Sequence, residues 1–221
     1  MADERELDRR RMSTARMEAL SDGVFAIALT LLVLEISVPA HSGHDLLHAF
    51  LHQWPSYLAY VVSFATIGGG WLAHNVITEY LEEADARLIR LNLVFLMVTS
   101  FLPYPTRLLA EYIRQDKAER VAATIYGLVL LAAAVLLSAL WRYAVRRQLI
   151  HPSADEADVR LMTRRLSPSL VAYVVLLVVG LFVPLAAVIG YLLIALSLLL
   201  PTGRGASRRD AAAAPGGDGD R

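Results

Sequence analysis

Charge is distributed along this chain so that most of it fits one solvent only. Stretches of about twenty residues almost free of Asp, Glu, Lys and Arg alternate with short charged connections. An α-helix rises about 1.5 Å per residue, so about 20 apolar residues cross the roughly 30 Å hydrocarbon core of a bilayer. Five such stretches lie at about 16–38, ending at Pro39, then 55–77, 88–109, 121–143 and 168–200. The last is too long for one crossing. Pro184 lacks a backbone donor and disfavours helix just before it, so a reversal is predicted near Val183-Pro184. The rival is one long kinked helix. The expected fold is therefore all-α, a polytopic membrane protein of six transmembrane helices. It comprises a charged N-terminal segment (1–15), the membrane domain (16–201) and a disordered tail (202–221) rich in Gly, Ala, Asp and Arg.

Composition supports this and removes alternatives. The chain is 56% hydrophobic, carries no cysteine and has zero formal net charge. No disulfide is possible, and no nucleic-acid partner is expected. The N-terminus is mixed in sign and lacks a small-residue cleavage site, so the first apolar run is expected to stay in place as a membrane helix. The polar connection from about Arg146 to Ser167 is the largest, which leaves no room for a soluble catalytic core. No zinc motif, nucleophile elbow or paired-carboxylate arrangement appears, so the chain is not expected to be an enzyme or to need a cofactor.

Basic residues orient the bundle. With six spans, all but four of the 21 Lys and Arg fall on the side of the two termini. Arg107, Arg114, Lys117 and Arg120 make up the other side. The positive-inside rule then places both termini in the cytoplasm of a multi-pass protein of the cell membrane. The connection after the first span contains no Lys or Arg, as an external loop should. Its His41, His44, His48 and His52 would share a face on a helix. They read either as a polar interfacial surface or as a metal- or pH-responsive cluster.

Charged and polar side chains inside the spans mark function by default, because they are costly there. The first span holds Arg16, Ser21, Asp22, Thr30 and Glu35. The partners available to Asp22 are Arg16 and, from the second span, His74 and Asn75. Two readings of Asp22 stand: a buried polar clasp on the neighbouring helices, or direct contact with a permeating ion. At about 100° per residue, Gly23, Thr30, Leu31 and Leu34 cluster within about 60° of Ile27, whereas Asp22 lies about 140° away. If Asp22 faces a neighbouring helix, the Ile/Leu stripe faces lipid or a symmetry axis. The second span ends Gly68-Gly-Gly-Trp71-Leu-Ala-His74-Asn75, whose glycines permit close helix approach. The third carries Asn92 and then Phe101-Leu-Pro103-Tyr104-Pro105-Thr106, a kink or an end. No internal repeat is visible. A chain with one copy of its polar membrane motif needs oligomeric symmetry to surround a central pathway.

Together these residues resemble one family. Arg16-x-x-x-Leu20-Ser21-Asp22-Gly23-Val-Phe-Ala-Ile-Ala is similar to the first-helix signature of the TMEM175 potassium channels, lysosomal and prokaryotic. Trp71-x-x-His74-Asn75 and Leu91-Asn92…Phe101-Leu-Pro-Tyr-Pro-Thr106 resemble the family's second and third helices. The likeness spans about Arg16 to Leu200, with Leu20 standing where the family has Phe. It implies a homotetramer in which the first helix lines a central pore for K⁺. Ile27 would be the main constriction, Leu31 and Leu34 further aliphatic rings, and Thr30 a hydroxyl layer. Arg16, Ser21, Asp22, His74 and Asn75 would brace that helix from behind. The alternative is a proton-coupled secondary transporter using Asp22, Glu35 and His74. Transporters usually carry repeats and broken midplane helices, which this sequence lacks apart from Gly68–Gly70.

Overall fold

The computed structural model describes residues 2–36, 45–152 and 155–199. All its regular elements are helical: α1 (Ala2–Leu31) with a 3₁₀ turn (Leu32–Glu35), α2 (Leu46–His52), α3 (Trp54–Glu79), α4 (Ala86–Phe101), α5 (Pro103–Tyr112), α6 (Asp116–Arg146), α7 (Glu156–Gly180) and α8 (Pro184–Leu199). Five segments are long and apolar enough to cross a bilayer, with α8 a shorter apolar sixth. That is a polytopic membrane protein. The predicted stop at Pro39, the histidines 41 and 44, and the tail from 202 lie outside the described residues.

The last apolar stretch is a hairpin, not a kinked rod. α7 ends at Gly180 and α8 starts on Pro184. Proline suits a first helical turn because the amide it lacks would have had no partner there. A Cβ on Gly180 would sit 3.3 Å from Ala187, and Gly190 lies against Leu176, so the two helices run antiparallel. The third span bends as its prolines imply. Pro103 cannot donate to the Thr99 carbonyl, so Leu102 N–H bonds to it at 3.1 Å and a new helix, α5, begins at Pro103. The polar connection from Arg146 to Ser167 is helical from Glu156 onward. Asp155 caps α7 by accepting from the Ala157 amide at 2.9 Å, and Trp141 Nε1 on α6 donates to Thr163 Oγ1 at 2.8 Å. The mixed-charge sequence has enough apolar periodicity, at Val159 and Met162, to pack against the core.

α1 packs on α3 and α4, α8 packs on α3, and α6 joins α4 and α5 to α7 and α8. The α3 glycines serve that packing. A Cβ on Gly69 would come within 3.1 Å of Leu198. Between α3, α5 and α6 runs a buried hydroxyl relay. Thr106 Oγ1 donates to the Leu102 carbonyl at 2.8 Å. Its one proton is then committed, so Ser63 Oγ donates to Thr106 at 2.7 Å and Tyr126 donates to Ser63 at 2.9 Å. Each of these three hydroxyls finds a protein partner where the bilayer supplies none.

At the end holding the basic connections, the loops after α3 and α6 join in one antiparallel bridge, Leu81 to Ile150. α6 stops there in a Schellman motif. Leu149 N–H bonds to the Ala144 carbonyl at 3.0 Å, and Gln148 adopts φ 55° where glycine is usual. Asp85 ties the same end together. Its Oδ1 caps α4 by accepting from the Leu88 and Arg87 amides at 2.7 and 3.1 Å, and its Oδ2 accepts from Tyr143 at 2.6 Å. Partial burial disfavours the charge, but these hydrogen bonds and nearby Arg147 outweigh that and hold the carboxyl below its ordinary 3.8. The folded form thus binds the proton more weakly than the unfolded chain does. Its contribution is complete at neutral pH and is lost as pH falls below about 4. Asp85→Ala should cost about 1–2 kcal/mol at pH 7. Thermal melts of the detergent-solubilised protein should show the deficit shrinking towards pH 3.

Candidate functional site

α1 and the 3₁₀ turn after it present one stripe to the bundle: Met17, Ser21, Phe25, Ala28 and Leu32, all buried. These recur every three or four residues, as one face of a helix must. Ser21 opens a polar chain within this apolar stripe. Its Oγ donates to the Met17 carbonyl at 2.8 Å and accepts from Asn92 Nδ2 at 3.0 Å. Asn92 Oδ1 lies 2.9 Å from His74 Nε2. The amide oxygen can only accept, so the imidazole carries its proton on Nε2 and donates. Every bond in the run His74, Asn92, Ser21, Met17 therefore points the same way, across α3, α4 and α1. Aromatic rings enclose it. His74 stacks on Phe95 at 5.7 Å and 7°, and Phe25 lies 5.7 Å from His74 and 5.9 Å from Phe95. His74 Nδ1 is buried without a hydrogen-bond partner among the described residues.

Asp22 stands at the edge of this stripe. Its Oδ1 accepts from Trp71 Nε1 at 2.8 Å. The sequence offered Arg16, His74 and Asn75 as its partners, and the indole takes the bond instead. Arg16 is exposed, and the Asn75 side chain is half-buried and outside the chain of bonds. Asn92 carries two of those bonds and was not among the predicted site residues. Its signal was there to be weighed: a lone amide inside the third span is subject to the same cost that drew notice to Asp22.

On the opposite side of α1, Ile27, Leu31 and Leu34 are 61%, 40% and 70% exposed. Thr30 lies among them, its Oγ1 donating to the Ile27 carbonyl at 2.9 Å. Its proton is used, so what the hydroxyl presents outward is lone-pair density. Leu20 is also 49% exposed, so its replacement of an aromatic ring leaves the Phe25–His74–Phe95 core intact. The far end of α1 is tied to α5 by Glu35, 3.8 Å from Arg107 Nε. Among the described residues no group of three or more His, Cys, Asp or Glu is placed to hold a metal ion.

Residues 16–103 match the model of the family described as the endosomal/lysosomal potassium channel TMEM175. A Streptomyces collinus protein named as a potassium channel is 48% identical over 149 residues, 66% of this chain and 72% of its own. A crystal structure described as a lysosomal potassium-selective channel TMEM175 homologue from Chamaesiphon minutus superposes with a TM-score of 0.78 at 35% identity. That match covers 85% of this chain and 97% of the other. The chicken protein, named an endosomal/lysosomal proton channel, is 33% identical, and the match spans only 31% of its length. These similarities define the class as an ion channel of the membrane and not an enzyme. The chain belongs to the TMEM175 family.

Asn92→Leu is nearly isosteric and removes both the donor to Ser21 and the acceptor for His74. It should lower stability by about 2–3 kcal/mol, because two buried polar groups lose a partner at once. Asn92→Asp keeps the acceptor for His74 but adds a buried ionisable carboxyl, and should also be less stable than the native chain. Equal melting temperatures for all three proteins would show that the chain of bonds is not holding α1.

Proposed function

We propose that four copies of the chain surround a common axis and conduct K⁺ passively between their α1 helices. The observation that carries this reading is the one-sided seating of α1. Ser21 and Phe25 are held against α3 and α4 and Leu32 is buried, while Ile27, Thr30, Leu31 and Leu34 project from the bundle. An aliphatic stripe alone would suit lipid equally well, and family membership favours the axis. In the tetramer Ile27 forms the main constriction, with Leu31 and Leu34 as further rings towards the Glu35 end. Branched aliphatic rings of this kind close by dewetting. K⁺ sheds hydration water more readily than Na⁺, so a narrow apolar ring penalises Na⁺ more. Thr30 offers an oxygen lone pair between the rings. Ser21, Asp22 and His74, with Trp71 and Asn92, fix the rotation of α1. Arg16 and Asn75 belong to that anchoring set by position only. The charge distribution supports a location in the cell membrane with both termini cytoplasmic.

A proton-carrying function has one observation in its favour, the name borne by the chicken relative. A coupled carrier relaying protons between Asp22 and His74 is less well supported. Asp22 is engaged by Trp71 and His74 Nε2 by Asn92, and no hydrogen bond joins the two directly. K⁺ flux from liposomes containing the purified protein, with Na⁺ and proton controls, separates these readings. Ile27→Asn should raise conductance and pull the K⁺/Na⁺ permeability ratio towards one. Bi-ionic reversal potentials identical to those of the native channel would remove Ile27 from the selectivity path.

A further inference from the structure

At the Glu35 end of the bundle, α2 has two faces of opposite character. Leu47 and Leu51 point away from the protein, 70% and 62% exposed, with Leu46 and Phe50 exposed beside them. His48 and His52, exposed as well, stack at 5.7 Å on the flank of α2 that borders a cavity. A short helix that exposes four large apolar side chains is poorly suited to an aqueous surface. It suits a membrane interface, apolar side in the acyl chains. Its place in the chain agrees, since it lies between two membrane-spanning helices, α1 and α3, and Trp54 follows it directly.

Beside α2 lies an open cavity of about 480 Å³. Charges of both signs line it: Arg107 and Arg114 with His48 and His52, against Glu35 and Glu111. Arg114 Nη1 lies 3.1 and 3.0 Å from the two His52 ring nitrogens, so the guanidinium caps that ring. Glu35 is 3.8 Å from Arg107, a long pair that leaves both groups able to take a further partner. With neutral imidazoles the lining carries two positive and two negative charges. Such a lining complements a ligand that also carries both signs.

We propose that this cavity binds the headgroup of a zwitterionic phospholipid bearing a primary amine. The phosphate lies towards Arg107 and Arg114, the ammonium towards Glu35 and Glu111, and the acyl chains run out past Leu47 and Leu51. The site adjoins Glu35, so the lipid touches the same carboxylate that ties the end of α1 to α5. The inference requires only that this end of the bundle is a membrane–water boundary. Binding is read without ion flux, so it stands or falls separately from the proposed pore.

The test uses the purified full-length protein, stripped of lipid in detergent and titrated by native mass spectrometry. Four probes are compared: phosphatidylethanolamine, phosphatidylglycerol, diacylglycerol and free phosphoethanolamine. Phosphatidylethanolamine should bind saturably and about tenfold more tightly than each of the others, a difference of about 1.4 kcal/mol. Arg114→Gln should weaken it by a similar factor. Glu111→Gln should narrow its advantage over phosphatidylglycerol, a change that misfolding would not produce. Leu47→Glu with Leu51→Glu should abolish the preference for the intact lipid over phosphoethanolamine. Binding no tighter than diacylglycerol, or a preference for phosphatidylglycerol, would overturn the assignment. So would phosphatidylethanolamine affinity unchanged in Arg114→Gln. Leu51→Cys chains that cross-link through α2 with the lipid present would give the apolar face to a second copy instead, and would equally overturn it.

Discussion

Asn92 uses both ends of its side-chain amide on helices other than its own, donating to Ser21 on α1 and accepting from His74 on α3. In water such bonds are nearly interchangeable with solvent. Inside a bilayer they have no substitute, because an unmade hydrogen bond there leaves a polar group among hydrocarbon. The rotation and depth of α1 are therefore tied to the one position at which Ser21 meets the amide. A rotation of one residue, about 100°, would carry Ser21 out of reach. The aromatic contacts of Phe25, His74 and Phe95 fit only in the same register, as does the reach from Trp71 to Asp22.

Other ties extend this control along the bundle. The relay from Tyr126 through Ser63 to Thr106 holds α5 against α3 and α6 just beyond the proline break. Arg107, the next residue, reaches Glu35 at the end of α1. At the opposite end Asp85 fastens the start of α4 to Tyr143. α1 is thus held at its middle by the amide, and at its end through a helix that is itself pinned. A helix held in this way can keep a plain aliphatic face directed outward without contacts on that face. The proposed pore depends on that consequence.

Much of the fold was legible in the sequence, because hydrophobic length is a strong signal in a bilayer. The long apolar helices, the reversal at Pro184 and the bend at Pro103 follow from apolar run length and missing amide donors. Helix within the charged connection was less legible. The charged stretch after Asp155 packs against the core through a few apolar positions that the surrounding charges mask. Within the site, the angular separation of Asp22 from Ile27 was legible, since it needs only residue numbering. Partner choice was not legible. Trp71 and Asn75 lie on the same helix within reach of a carboxylate, and which of them meets Asp22 depends on how α1 and α3 cross. Asn92 illustrates the same limit, since its hub position is set by two neighbours more than seventeen residues away in sequence. The aliphatic face would have read as lipid-facing without the likeness to a channel family.

The orientation of α1 can be tested directly because the chain contains no native cysteine. A single Ile27→Cys substitution, oxidised in reconstituted membranes, should yield disulfide-linked dimers, and thiol modification of the reduced protein should suppress K⁺ flux. A matching Val174→Cys substitution on the exposed face of α7 should do neither. Cross-linking and block confined to Val174→Cys, with Ile27→Cys inert, would place the aliphatic face of α1 in lipid and contradict the account.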